Sequence, residues 1–394
     1  MTDVLLAGDY YVGRGFDPGV DESVCELIKS AKHALVNLEA PVTDTTDRIG
    51  KSGPHLTMPV SSLDHVKRLG FTVLTLANNH ILDAGLTGLE DTLRLAHERG
   101  FLTVGATTEA GGARNAAKAR LPLTRGSLTV LSYCEHEWSV RENGVGASGW
   151  DVLDVHSDIQ EAQRAGDRVL VVLHGGNEYF PLPRPGLRKE LRFLADNGAD
   201  AIVMHHSHVP AAYEVWNGVP IFYGLGNFQF TLASPNGNWY EGLLVALTFP
   251  AHGPTQFDII PTRQSRTFDS SLATQEQRTE TLQQLEGYRI QVSSDPALEA
   301  RWREFARQVH GGLIRAIAPT SVIRPKMGRR IVDQAFAYAF AKDPRTQRTL
   351  LDVLQCESHH EALCTAIRDQ LPNEINAGFS APDMIGDGLL PEAG

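Results

Sequence analysis

The sequence predicts an α/β protein with a helical addition towards its C-terminal end. Three observations carry that reading. Over roughly the first 260 residues, short β-branched runs alternate with amphipathic helical patterns. Several apolar runs stop abruptly at Asp, Glu, Asn or His, as strands do when their C-terminal ends open onto a cleft. Beyond about residue 265 the apolar residues take helical spacing and strand signals thin out.

The strands follow in order. "DVLLAG" predicts a strand over 3–8, "ALVNL" over 34–38, "FTVLTL" over 71–76 and "FLTV" over 101–104. "LTVLSY" (128–133), "RVLVVL" (168–173) and "DAIVM" (200–204) continue the series. Further strands are expected at 212–216, 219–224, 242–249 and 256–260. Helices are expected at 20–32, 60–69, 86–99, 157–165 and 187–197, the last stopped by Gly198. The expected division is an α/β domain over 1–265, a helical addition over 266–371 and an irregular Gly- and Pro-rich tail over 372–394. The apolar stripe at 336–341 suits core packing, a cap over the cleft or a homodimer contact.

Composition narrows the function. The chain has 394 residues, 42% hydrophobic and 21% charged, enough apolar content for a packed core. Its net charge of −11 argues against a nucleic-acid partner, which needs a basic face. Cys25, Cys134, Cys356 and Cys364 form no C-x-x-C pair and suggest no disulfide framework. The start, "MTDVLLAGDYY", lacks a basic and apolar leader, and no stretch is apolar enough to span a membrane. A cytoplasmic protein without a membrane anchor is the expectation.

The chemistry gathers at the strand ends. Asp9 follows the first strand and Glu39 the second. Asn78, Asn79, His80 and Asp83 follow the third. His174 ends one later strand, and His205, His206 and His208 end the next. Each alone has a bland explanation; Asp9, for instance, suits an Asx-turn. Together, carboxylate, amide and imidazole donors without cysteine suit a divalent transition metal, or a pair sharing a carboxylate, rather than a structural zinc site. "GDYYVGRG" has a phosphate-loop look but fits neither glycine-rich nucleotide motif.

The ordered set "AGDYYVGRG", "NLEAPVT", "LANNHILDAG", "LHGGNEYFPLP" and "NGADAIVMHHSHVPAAYEVWNGVPIFYGLGNFQF" closely resembles the CapA family of capsule and poly-γ-glutamate synthesis proteins, a branch of the calcineurin-like metallophosphoesterase superfamily. The resemblance covers roughly residues 3–262. It implies a four-layer α/β/β/α sandwich holding two divalent ions, Mn, Fe or Zn. Carried over, Asp9, Glu39, Asn79, His174, His206 and His208 are the metal ligands, with Glu39 bridging. His80 is the general acid, and Asp83 is grouped with it as catalytic. Two departures stand out: Tyr11 replaces the histidine of the usual Asp-x-His, and "MHH" replaces the glycine before the last His-x-His.

The expected activity is hydrolysis of a small-molecule or peptide-like anionic substrate by a metal-activated water. Arg14, Lys51, Glu178, Arg184, His205 and Asn227 are the candidate substrate-binding residues, with Glu178 and Asp83 also placed to orient ligating histidines. Amide or γ-glutamyl bond chemistry on the same metals, and a non-catalytic assembly role on the same fold, are the alternatives.

Overall fold

The structure, a computed structural model, describes residues 2–51 and 54–317, with isolated positions between 334 and 342. The 372–394 tail and most of the 336–341 stripe lie outside the described residues, and with them the expected dimer contact. The chain divides into two compact units, Met1–Ile49 with His55–Trp302, and Gly50–Pro54 with Arg303–Gly394. The strands described lie in the first.

In chain order the elements are β1 (Val4–Tyr11), α1 (Glu22–Ser30), β2 (His33–Leu38), α2 (Ser61–Leu69), β3 (Val73–Thr75), α3 (Gly85–Glu98), β4 (Leu102–Val104), β5 (Ala106–Thr107), α4 (Ala113–Ala116), β6 (Lys118–Pro122), β7 (Ser127–Cys134), β8 (Gly146–Ala147), α5 (Val152–Arg164), β9 (Arg168–His174), α6 (Pro185–Asp196), β10 (Ala201–His205), β11 (Tyr213–Trp216), β12 (Val219–Phe222), β13 (Asn227–Phe230), β14 (Glu241–Thr248), β15 (Gln256–Gln264), β16 (Ser270–Leu272), α7 (Gln275–Ser293) and α8 (Asp295–Ile317). One sheet runs β16-β15-β14-β1-β2-β3-β4, with β13 also on β1; the second runs β11-β12-β10-β9-β7-β6.

Side-chain alternation along the strands builds the layers. Val4 and Leu6 of β1, with Leu35, Val73 and Val104, meet Val130, Leu170, Val172, Ala201 and Val203 of the second sheet in one buried cluster. The alternate residues Leu5, Ala7, Ala34, Val36 and Leu74 pack with Val24 and Ile28 of α1 and Leu63 and Val66 of α2. On the outer side of the second sheet, α5 packs on β7 and β9 and α6 on β10. The order is helix, sheet, sheet, helix, as the resemblance implied. Asp151 caps α5 by accepting from the Leu153 and Asp154 N–H groups.

Two findings depart from the sequence reading. The α/β unit runs past residue 265: β16 extends the first sheet, and α7 packs on β15 of one sheet and β11 of the other. Leu285 of α7 belongs to the inter-sheet core, so this helix closes an open side of the sandwich and is not an appendage. No strand is expected between 224 and 242, yet Asn227–Phe230 forms β13, which runs parallel to β1 with Asn227 opposite Asp9. That pairing requires Gly8: a Cβ there would meet Gly226 O at 1.9 Å.

Among the described residues no helix is long and apolar enough to cross a membrane.

Candidate metal centre

The C-terminal ends of β1, β2, β9 and β10 meet at one end of the sandwich. β1 and β2 run parallel with Asp9 opposite Asn37, and a register shift between Ala7 and Asp9 re-aims the Asp9 side chain. β9 and β10 run parallel with His174 opposite His205. Beyond His205 the chain turns sharply. His206 (φ 92°) and His208 (φ 55°) both take left-handed backbone, which non-glycine residues adopt at a cost. Tyr179, after β9, does the same at φ 60°. Such outliers in one place show surroundings that over-determine the backbone.

The donors converge. Asp9, Glu39 and His174 offer atoms all within 4.8 Å of one another, and so do Glu39, His206 and His208. His208 Nε2 lies 3.5 Å and His174 Nε2 3.8 Å from Glu39 Oε1. His174 Nε2 also sits 3.0 Å from Asn79 Oδ1. Asp9 meets His205 Nδ1 at 3.1 Å and His208 Nδ1 at 3.4 Å, and its Oδ2 accepts from the His206 N–H at 3.3 Å. The six residues expected as ligands thus occupy one buried pocket. His80 and Asp83 form a pair beside it, Nδ1 to Oδ2 at 2.6 Å, with Asp83 also accepting from the Leu56 N–H.

The pocket's electrostatics follow from burying charge. Glu39 is pushed well above the usual carboxylate range by burial, reinforced by Asp9, Glu178 and Glu137. Burial would raise Asp9 as well. The His205 imidazole 3.1 Å away, with His208 and His174, outweighs it and holds Asp9 below the ordinary range. Burial pushes His174 well down, helped by His206, and pushes His208 down against the pull of Asp9.

The fit of a divalent cation is tested by Glu39 Oε1. This oxygen is buried with no hydrogen-bond partner, although buried carboxylates ordinarily gather two or three. His206 Nδ1 is orphaned in the same way. His205 Nδ1, 3.1 Å from Asp9, is a third such atom, and a pocket of carboxylate, amide and imidazole donors with several unpartnered atoms suits a divalent cation.

The expected substrate-binding residues separate. His205 is buried against Asp9 and presents no face to a cleft. Asn227 is 1% exposed, with its amide committed to His208 Nδ1 (3.0 Å) and to Trp239 O (3.0 Å). Both side chains are buried: β10 lies between β12 and β9, and all four residues of β13 are buried against β1. Arg14 is engaged by Asp44 at 2.7 Å and by Thr43 O, and Arg184 by Glu135 at 2.6 Å. Lys51 belongs to residues 50–54, outside the compact unit that carries the site. Glu178 is half-buried and near enough to bear on both Glu39 and His208.

Sequence reasoning missed Asn37 and Glu137. Asn37 Nδ2 donates to Asp9 Oδ1 at 2.8 Å and lies 3.2 Å from His174 Nδ1 and 3.5 Å from Glu39 Oε2. It interrupts an apolar run two residues before Glu39, and that spacing puts both on one face of β2. Glu137 follows β7 in "CEHEW", a strand end of the same kind as the others. An aromatic group closes the His208 side: Trp239 contacts His208 at 4.7 Å, Phe230 at 5.3 Å and Tyr179 at 5.6 Å between ring centroids.

Known proteins bear on this arrangement. The chain is 30% identical over 277 residues to the PGA biosynthesis protein CapA of Bacillus subtilis, covering 66% of this chain and 71% of that protein. It is 28% identical to the capsule biosynthesis protein CapA of Bacillus anthracis, covering 66% of each. Among solved structures it is similar to Haemophilus influenzae NAD nucleotidase, with a TM-score of 0.39 and 14% identity over 78% of this chain and 60% of that one. The family model for the bacterial capsule synthesis protein PGA_cap matches residues 3–231, a stretch holding every donor above. With that match over more than half its length, the chain belongs to the bacterial capsule synthesis PGA_cap family.

Proposed function

We propose that this chain is a metal-dependent hydrolase of the phosphoesterase type, acting on an anionic substrate at the pocket where the strand ends meet. The observation that supports it most is Glu39 Oε1, buried, unpartnered and flanked by two imidazole nitrogens at 3.5 and 3.8 Å. Asp9, Glu39, Asn79, His174, His206 and His208 would hold the metal. Two donor groups sharing Glu39 suit two ions, and the donor chemistry suits Mn, Fe or Zn. Such ions, when bound, supply positive charge that polarises an electrophilic oxygen and acidifies a water.

The chain's own residues do the rest. Asn227 Oδ1 accepts from His208 Nδ1–H, which leaves Nε2 turned towards Glu39. The 2.6 Å contact commits His80 Nδ1 to Asp83, so proton exchange with a leaving group falls to Nε2. Trp239, Phe230 and Tyr179 exclude water from the His208 side.

Amide or γ-glutamyl chemistry is the second reading. Arg14 and Arg184, two of the residues expected to meet an anionic substrate, are both engaged by carboxylates, which bears on either substrate class alike. The Bacillus subtilis relative is named for PGA biosynthesis.

The test is metal analysis of purified protein, with turnover of an aryl phosphate and of a γ-glutamyl anilide in added Mn. Bound divalent metal with turnover of either substrate supports the proposal, and the substrate turned over chooses between the readings. The His174→Ala variant is expected to lose both metal and turnover. Full activity in that variant, or no metal in the parent protein, refutes it.

A further inference from the structure

The loop after β7, Glu135 to Trp138, reaches the pocket from a further strand end. Glu137 Oε2 accepts from Asn79 Nδ2 at 3.1 Å, and its Oε1 lies 3.6 Å from His206 Nε2. These are the two nitrogens that point away from a cation if Asn79 binds it through Oδ1 and His206 through Nδ1. On their other sides, Asn79 Oδ1 faces His174 Nε2 at 3.0 Å and His206 Nδ1 is buried without a partner. An amide can flip and a neutral imidazole can exchange tautomers, so neither residue alone dictates which atom faces the pocket. An ionised carboxylate only accepts. Facing both groups at once, it favours the amide orientation with Nδ2 outward and the imidazole tautomer with its hydrogen on Nε2.

We propose that Glu137 is a positioning residue whose single carboxylate sets both Asn79 and His206 for one divalent cation. The inference rests on reading the pocket as a metal centre. It parallels His208, whose other nitrogen, Nδ1, is held by Asn227 Oδ1. Asn37 and Asn227 are 1% exposed, whereas the Glu137 side chain is 36% exposed on a loop. Glu137 can therefore be changed without opening the core, and the cation it serves is the one whose affinity this loop controls.

The experiment is competition for Co between the full chain and a chromophoric chelator, with the visible spectrum of the cobalt-loaded protein as second readout. Glu137→Gln offers one acceptor and one amide donor, so it satisfies Asn79 or His206 but not both. It is expected to weaken cobalt binding about 10- to 100-fold and to change the cobalt spectrum. Glu137→Asp, which keeps the carboxylate, is expected to recover part of the loss. His136→Ala, an exposed neighbour, is expected to bind cobalt like the parent. Parental affinity and spectrum in Glu137→Gln would overturn the positioning role and leave the metal centre standing. A lowered unfolding temperature of chelated Glu137→Gln would also overturn it, by making the role structural. Absence of cobalt binding in the parent would overturn both readings.

Discussion

Glu39 and Asp158 both have side chains at 0% exposure, yet their surroundings are built on opposite plans. Asp158, on α5, accepts from the Tyr133 hydroxyl and from Arg114 at 3.0 Å, and pairs with Lys118 at 2.9 Å. Its charge is neutralised and its oxygens are filled by side chains of α4, β6 and β7. Among the described residues Glu39 has no lysine or arginine partner, only the His174 and His208 imidazoles, with a second carboxylate in the same pocket and one oxygen without a hydrogen-bond partner. A fold that satisfies one buried carboxylate so fully and leaves another so exposed to repulsion is reserving a place for positive charge at the second. The contrast separates a structural carboxylate from a candidate ligand more sharply than burial does.

The largest effect that can break this comparison is at Glu39. Glu39→Gln removes the shared donor and is expected to abolish metal uptake. In the chelated protein the same change is expected to raise stability by about 1–3 kcal/mol near neutral pH, because a repelled, unsatisfied charge is gone. The sign follows from the raised Glu39 value. A carboxyl raised in the folded state contributes stability that is fully present below its unfolded value of about 4.3, and loses it as pH rises through the folded value. His174 and His208 act in the opposite window: depressed in the fold, they contribute above about 6.5 and lose that contribution as pH falls through their folded values. The stability difference between chelated parent and Glu39→Gln, followed by denaturant titration from pH 5 to 8, isolates Glu39 and should widen with pH. Added Mn should reverse it, since the ionised carboxylate and neutral imidazoles are what a cation binds. A variant less stable than the chelated parent throughout would show that Glu39 is satisfied after all.

How much of this could be read from the chain alone depends on whether a signal is local. Asp9, Glu39, His174, His206 and His208 each terminate an apolar run, so one rule about strand ends finds them and the fold brings them together. Asn37 obeys another local rule, a polar residue two positions from Glu39 within a strand, and was legible in principle. The role of Asn227 was not. It depends on β13 lying beside β1 across more than two hundred residues, and a four-residue strand after "GLG" carries no mark of that partner. The place of α7 is equally non-local. Its helical character is written in its spacing and its Thr274 capping box, but only the gap between two sheet edges explains why Leu285 is buried.

Asp158 supplies the next prediction, of intermediate size. Asp158→Ala leaves the Tyr133 hydroxyl buried without its acceptor, and it frees Arg114 and Lys118, which are partly exposed and regain water. The expected cost is about 1–3 kcal/mol, read as a lowered denaturant midpoint, with metal affinity unchanged. The two carboxylates should therefore move in opposite directions: loss of one weakens the fold and spares the metal, loss of the other spares the fold and ends metal binding. A fall in metal affinity in Asp158→Ala would erase the distinction.

Asp44 extends the series to water. Its side chain is 74% exposed and its partner Arg14 is 54% exposed, so the 2.7 Å ion pair between them is screened and contributes little. Arg14→Ala is accordingly expected to change stability by less than about 0.5 kcal/mol. The same substitution decides whether Arg14 handles substrate. A guanidinium already held by Asp44 and Thr43 O would have to give up those contacts to grip an anion, so KM for a turned-over substrate is expected to stay within about twofold, the scale of a screened surface charge. A rise of about tenfold or more, the scale of a lost charge-assisted hydrogen bond, would mean that Arg14 leaves Asp44 when substrate arrives. Arg14 would then belong with the binding residues that the sequence first suggested.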